Sequence, residues 1–273
     1  MDAQTLRAQA FKALHERNEA FVIPNPWDAG SAKMLASLGF EALATTSAGY
    51  AFSRARPDGG LTLQETLENV RAIVAATDLP VAVDLENGFA DDPGECAQSI
   101  LQAAAAGAVG GSIEDATGRE GTPIYCFDHA VARIEAAVAA ARSLPFAFML
   151  TARAENYLHG NPDLDDTIRR LQAFSEAGAD VLYAPGLRNA DEVLAVVRAV
   201  APKPVNVLMS GGLKLTVGQL SEMGVRRVSV GSALALAALG EFYRAAEEIK
   251  TSGTFTFTSR SMPYVQANQL FKG

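Results

Sequence analysis

A closed (β/α)8 barrel, the TIM-type α/β fold, is the architecture this sequence predicts, on three observations. Short apolar runs recur eight times along the 273 residues, and most lead into an Ala/Leu-rich stretch with helical periodicity, such as DPGECAQSILQAAAAG or DDTIRRLQAFSEAGAD. Several helices end in a glycine close to the next run, as in ASLGF, AAAGA, EAGAD and EMGVR, which is the stop expected of αβ connections. No composition break, linker or low-complexity segment interrupts the series, so residues 1–273 read as one domain. That length is within reach of α/β barrels, which commonly run to about 250 residues as a single domain. A doubly wound sheet is the alternative, and the count of eight favours the barrel.

The expected strands, in order, are 21–25 (FVIPN), 41–47 (EALATTS), 81–86 (VAVDLE), 110–115 (GGSIED), 146–153 (FAFMLTAR), 180–185 (DVLYAP), 205–210 (VNVLMS) and 227–232 (RVSVGS). Residues 254–273 follow the eighth unit as a C-terminal extension. The tail carries Met262, Tyr264, Val265, Leu270 and Phe271, and these apolar side chains call for cover, on the barrel or on another subunit.

Composition excludes several classes. The hydrophobic fraction is 49%, enough for a large core, and the formal net charge of −8 argues against a general nucleic-acid or membrane surface. The N-terminal stretch lacks a signal-peptide core, and no run is apolar for long enough to span a bilayer. Cys96 and Cys126 form no CxxC or other metal-like spacing, so a reducing, cytoplasmic setting is the simpler expectation.

Barrel active sites lie at the C-terminal ends of the strands. Read there, the chain offers Asn25, Trp27 and Asp28, then Thr45, Thr46 and Ser47, then Asp84 and Glu86. Glu114 and Asp115 end the fourth strand, Arg153 and Glu155 the fifth and Tyr183 the sixth, with Asn206 and Ser210 along or after the seventh. Strand alternation sets Asp84 and Glu86 on one face, with Glu114 on the neighbouring strand. Three clustered carboxylates repel one another unless a cation neutralises them, and an all-oxygen set suits Mg²⁺ or Mn²⁺. No histidine or cysteine is placed for zinc. Arg153 is the natural grip for a substrate carboxylate, or else the ion-pair partner of these same acids. Metal and arginine together suit an anionic substrate whose carbonyl oxygen gains charge during reaction.

With these residues in order, the chain resembles the isocitrate lyase/phosphoenolpyruvate mutase superfamily from about Phe21 to Gly253. The likeness rests on NPWDAGSAKMLASLGFEALATTSAGYA, VDLENG, GSIEDA, TARAEN and FSEAGADVLYAPGL. VDLENG is similar to the family's Asp-x-Asp-x-Gly metal motif with Glu86 in place of the second aspartate. The Ser-Gly substrate loop is here Ser47-Ala48-Gly49. The resemblance implies Mg²⁺-dependent chemistry on 2-oxo or 2-hydroxy acids beside a pyruvate enolate. It implies that Asp84 holds the metal directly, with Glu86 and Glu114 acting directly or through waters. Ser47, Ala48 and Gly49 would contact the substrate, Arg153 would stabilise the enolate, and Asp58 would be a catalytic or gating acid. Asn206 is a further substrate-binding candidate. It also implies a homo-oligomer, dimer or tetramer, often with an exchanged C-terminal helix. The loop after strand four, ATGREGTPIYCFDH, lacks the Lys-Lys/Arg-Cys-Gly-His motif of isocitrate and methylisocitrate lyases, and the Lys-Asp-rich gating loop of the phosphonate mutases is absent too.

The expected activity is therefore C–C cleavage of a small, oxaloacetate-like 2-oxo dicarboxylate, with 116–126 as a candidate lid. Three alternatives stand beside it. One is a hydrolase or phosphonomutase-like enzyme acting on oxaloacetate or phosphonopyruvate. Another is a phosphate-binding aldolase or isomerase using glycine-rich turns at 210–212 and 231–232, although no lysine stands at a strand end for a Schiff base. The last is a non-catalytic 2-oxo-acid-binding protein.

Overall fold

The computed structural model describes residues 2–209 and 212–272. Eight parallel strands form one sheet in the order β1-β8-β7-β6-β5-β4-β3-β2. They are β1 (Phe21–Ile23), β2 (Leu43–Ala44), β3 (Val81–Asp84), β4 (Gly110–Glu114), β5 (Met149–Arg153), β6 (Val181–Tyr183), β7 (Val205–Leu208) and β8 (Arg227–Ser229). The ladder leaves β1 and β2 unpaired, but the Ala44 amide donates to the Pro24 carbonyl at 3.1 Å and all but closes the barrel.

All eight expected strands are present, and each is shorter than its apolar run. The difference is largest in 41–47, where only Leu43 and Ala44 are strand and Ser47 opens a helix. Thr46 caps that helix, accepting a hydrogen bond from the Gly49 amide, so the polar end of the run turns away instead of extending the ladder.

An amphipathic first helix, α1 (Ala3–His15), precedes β1, and its Phe11 and His15 pack edge-on against each other and Phe21 beneath the barrel. The covering helices are α2 (Ala29–Ser37), the short α3 (Ser47–Ser53), α4 (Leu63–Ala76), α5 (Pro93–Ala105), α6 (Phe127–Ser143), α7 (Leu164–Glu176), α8 (Ala190–Val200), α9 (Val217–Glu222) and α10 (Ala233–Ser252). Most carry side-chain caps, with a full capping box at Thr62/Glu65 of α4. One hydrophobic layer between strands and helices runs from Leu67 and Val83 through Ile134, Leu150 and Phe174 to Val228.

The C-terminal extension forms a short 3₁₀ turn (Thr256–Arg260) and α11 (Tyr264–Phe271). The Phe271 ring approaches Gly30 of α2, so the tail folds partly over its own barrel, yet Tyr264 stays 83% exposed. Among the described residues no helix is long and apolar enough to cross a membrane.

Candidate active site at the strand ends

Arg153, the last residue of β5, organises the mouth. Its Nη1 lies 2.9 Å from Asp84 Oδ1, its Nη2 3.0 Å from Glu114 Oε2, and its Nε 2.8 Å from Glu155 Oε1. The pairing follows from register, because Glu114 sits opposite Arg153 on adjacent strands. One guanidinium thus serves three carboxylates, each partly or fully withdrawn from water.

Asp84 is held from both sides. Its Oδ2 accepts hydrogen bonds from the Ser47 hydroxyl at 2.9 Å and the Ser47 amide at 3.3 Å. The Thr45 hydroxyl accepts from the Asp84 amide at 2.9 Å and fixes the strand end. Glu86 follows in a left-handed turn at φ +50°, and its Oε1 is buried without a hydrogen-bond partner. Burial pushes the Glu86 carboxyl up to about 7, and the neighbouring charges of Asp84 and Asp58 push the same way. Desolvation and then Asp84 also raise Asp58, whose carboxylate stands 3.5 Å from the Ser47 hydroxyl on an overhanging segment. Burial raises Glu114 well above the ordinary carboxylate range, against the pull of Arg153.

Behind this cluster lies a support. Asp115 accepts the Glu155 amide at 2.8 Å and pairs with Arg170 at 3.0 Å, and Arg170 also pairs with Asp166 at 2.7 Å. Glu155, and through it Arg153, is therefore fixed from α7.

The structure brings Asp84, Glu86, Glu114, Arg153, Asp58 and Ser47 to one mouth. Gly49, in the first turn of α3, faces instead away from the acids, toward Thr46, Trp27 and Ala235. A Cβ there would stand 2.7 Å from Thr46 Cγ2 and 3.1 Å from Ala235 Cβ, and the Gly49 amide is already bonded to Thr46. Ala48 lies between them in the first turn of α3. Asn206 sits deeper, inside the barrel, with its amide group bonded to Ser229 and Arg227 at 2.9 Å each. Of the two glycine-rich turns, Ser210 and Gly211 lie outside the described residues. In the other turn the Val230 and Gly231 amides donate to Asn25 Oδ1 at 3.0 and 2.9 Å, so they are occupied from within.

The 116–126 segment is a small hairpin, with Ala116 bridged to Ile124 and Arg119 paired with Asp91 at 2.6 Å. Tyr125 also donates to Asp91, which ties the hairpin to the loop after β3.

Two residues that the sequence places at strand ends, without a role, contribute to the site. Glu155 is the third partner of Arg153, and its position two residues on in TARAEN is the signal that could have found it. Thr45 positions Asp84 through a bond between residues 39 apart in sequence, and no local pattern marks that.

Among the described residues five carboxylates, Asp58, Asp84, Glu86, Glu114 and Glu155, gather around Arg153, which pairs with three of them. Among the described residues no three acidic, histidine or cysteine side chains already converge as a metal cage. The donor set nevertheless fits a hard divalent cation. Its atoms are all oxygen, its charge is in surplus, and Glu86 keeps a buried, unpartnered oxygen. Mg²⁺ keeps several waters and needs only one or two carboxylates.

A family model described as phosphoenolpyruvate phosphomutase matches residues 11–250. A crystal structure from Burkholderia cenocepacia J2315, of a protein named by class as a lyase/mutase, superposes with a TM-score of 0.97 at 60% identity, covering 100% of this chain and 98% of that one. Among the curated relatives that match at 30% identity are a decarboxylase and a lyase. The oxaloacetate decarboxylase of Paraburkholderia xenovorans LB400 aligns over 84% of this chain and 76% of its own length. The 2-methylisocitrate lyase of Halalkalibacterium halodurans aligns over 90% and 83%. A phosphonopyruvate hydrolase solved with oxalate and Mg²⁺ is 25% identical with a TM-score of 0.86, over 97% of this chain and 94% of that one.

Proposed function

The chain belongs to the phosphoenolpyruvate phosphomutase family, within the isocitrate lyase/phosphoenolpyruvate mutase superfamily, and from that premise we propose that it is a Mg²⁺-dependent lyase. Its substrate is a small 2-oxo dicarboxylate of the oxaloacetate kind, cleaved at a C–C bond to leave a pyruvate-like enolate. The observation that carries this reading is the surplus of carboxylates around Arg153 at the strand ends. The decarboxylase, lyase and hydrolase activities named for its relatives agree with that chemical class.

Asp84 would hold the cation directly, and Glu86 and Glu114 would complete its shell, directly or through waters. When bound, the ion supplies Lewis-acid polarisation of a keto oxygen. The chain's own groups do the rest. Ser47 is released from Asp84 to donate to the substrate through hydroxyl and amide, with the adjoining Ala48–Gly49 turn shaping that wall. The Arg153 guanidinium, held by Glu155, faces the oxygen on which negative charge grows as the bond breaks. Decarboxylation needs no base to start. It needs a proton afterwards at the carbon that lost CO₂, and the raised carboxyl of Asp58, beside the Ser47 hydroxyl, is suited to give it.

The hairpin at 116–126 lacks the lysine–cysteine motif, so methylisocitrate cleavage is not expected despite the lyase relatives. The protein would act as a homo-oligomer, because α10 leaves Leu236, Phe242 and Tyr243 at 51%, 72% and 69% exposure beside an exposed apolar tail. Turnover of oxaloacetate, phosphonopyruvate and methylisocitrate with Mg²⁺ tests the reading, with the metal-only background subtracted. Pyruvate and CO₂ from oxaloacetate alone would support it. Phosphonopyruvate turnover without oxaloacetate turnover would move the chain to the hydrolase branch. No turnover, with 2-oxo acids still raising Tm in Mg²⁺, would make it a binding protein.

A further inference from the structure

Beneath the mouth the barrel holds a second charged centre that the proposed chemistry does not use. Arg227, the first residue of β8, points inward and is 6% exposed. Its Nε donates to Asn206 Oδ1 at 2.9 Å and its Nη2 to Thr151 Oγ1 at 2.9 Å. Its Nη1 stands 3.5 Å from His15 Nε2. That contact is with a neutral acceptor. His15 Nδ1 sits 2.8 Å from the Phe11 carbonyl and so carries the proton, which leaves Nε2 its lone pair. Burial and the Arg227 charge together hold the imidazole down to about 3, so it stays neutral.

Every partner of Arg227 is therefore uncharged, and among the described residues no carboxylate forms an ion pair with it. Two of its five N–H groups have no acceptor among the described residues. Burial weighs against its charge first, and the like charge of Arg153 adds to that. A buried guanidinium without a counter-charge is costly, and native proteins ordinarily pair it. The guanidinium also lines a cavity of about 70 Å³ along the barrel axis, which opens upward toward the mouth at Thr46 and Asp84. Thr151, Tyr183 and Ser229 line the same space, and the Thr151 hydroxyl, already accepting from Arg227, has its own proton to donate inward. A water needs about 10–15 Å³ of such space, so the cavity has room for a small anion with a water or two.

We propose that this cavity is a buried anion site, in which Arg227 and the Thr151 hydroxyl bind one small monovalent anion of halide size inside the barrel, below the catalytic mouth. The mouth itself is unsuited to such an ion, since its arginine is already paired with three carboxylates and the acids around it outnumber it. The proposal is independent of the reaction assigned to the mouth.

The test uses bromide, a halide that can be located by anomalous scattering. Crystals of the full chain soaked in bromide should show an anomalous peak in the cavity within hydrogen-bond reach of the Arg227 guanidinium. In solution, replacing gluconate by bromide at constant ionic strength should raise Tm by about 3 °C or more, as expected for a ligand that binds only the native state. Arg227→Gln should lose both the peak and the bromide-dependent shift. Density for water alone at Arg227 would overturn the proposal, as would an equal Tm response in Arg227→Gln. Should that variant fail to fold, the anomalous map of the unaltered protein decides the question.

Discussion

Replacing Glu86 by glutamine removes a charge and keeps the shape, and the burial of the carboxyl sets the sign of the result. The Glu86 carboxyl is raised from 4.5 to about 7, chiefly by burial. The native protein therefore holds that proton more tightly than the unfolded chain does. Between pH 4.5 and 7 the native state binds the extra proton, so this contribution to stability is fully present at low pH and is lost as pH rises through the window. At about 1.4 kcal/mol per pH unit, the ionised Glu86 costs the metal-free protein about 3 kcal/mol by pH 8. Glu86→Gln escapes that cost. A domain of this size shifts by about 2–4 °C per kcal/mol, so the variant should melt about 6–12 °C above the parent at pH 8, a gap that shrinks to about 2–3 °C at pH 5. The left-handed backbone at this position suits neither residue better, and the difference between the two proteins isolates the carboxylate. The assay is thermal denaturation of both proteins in chelator from pH 5 to 8. A gap independent of pH, or a Glu86→Gln protein less stable at pH 8, would refute the reasoning. Mg²⁺ should close the gap by stabilising the parent more than the variant.

Three further outcomes follow from the same geometry. Arg153→Ala should lower kcat/KM for oxaloacetate by about 100-fold or more, since a charge-assisted contact to a developing oxyanion is worth about 3 kcal/mol; steady-state kinetics on a variant with parental circular dichroism checks it. Arg170→Met leaves Asp115 buried without its cation and should destabilise the fold by about 3–5 kcal/mol, measured by urea denaturation; a loss below about 1 kcal/mol would remove Asp115 and Arg170 from the support of Glu155. Deleting residues from Ser259 onward should lower the oligomeric state in light scattering, and a full-length protein that is already monomeric would contradict the proposed assembly.

The barrel was legible because its signal is local. Each strand is a short apolar run, and the glycine stops lie beside the next strand, as Gly178 does before β6. The mouth was legible in outline for the same reason: once strand ends are known, Asp84, Glu114 and Arg153 must face one another. Their pairing was not. Whether Arg153 faces a substrate or binds three acids depends on contacts between residues as far apart as 69 positions. Strand lengths were overestimated where a polar end turned away, as at Thr46, because a side-chain cap competes with one more ladder bond. Arg227 was hidden most completely. In GVRRVSV it reads as the charged edge of a strand, and only closure of the barrel around Asn206, Thr151 and His15 makes it an interior cation.

Titration of Mg²⁺ into the full-length protein and into Asp84→Ala by isothermal calorimetry bears most directly on the idea that the carboxylate mouth is built around a divalent cation. Asp84 joins Arg153, Ser47 and the turn to Glu86, so its loss should abolish measurable Mg²⁺ binding while the barrel still folds. Mg²⁺ binding to the folded Asp84→Ala protein with unchanged affinity would contradict the account.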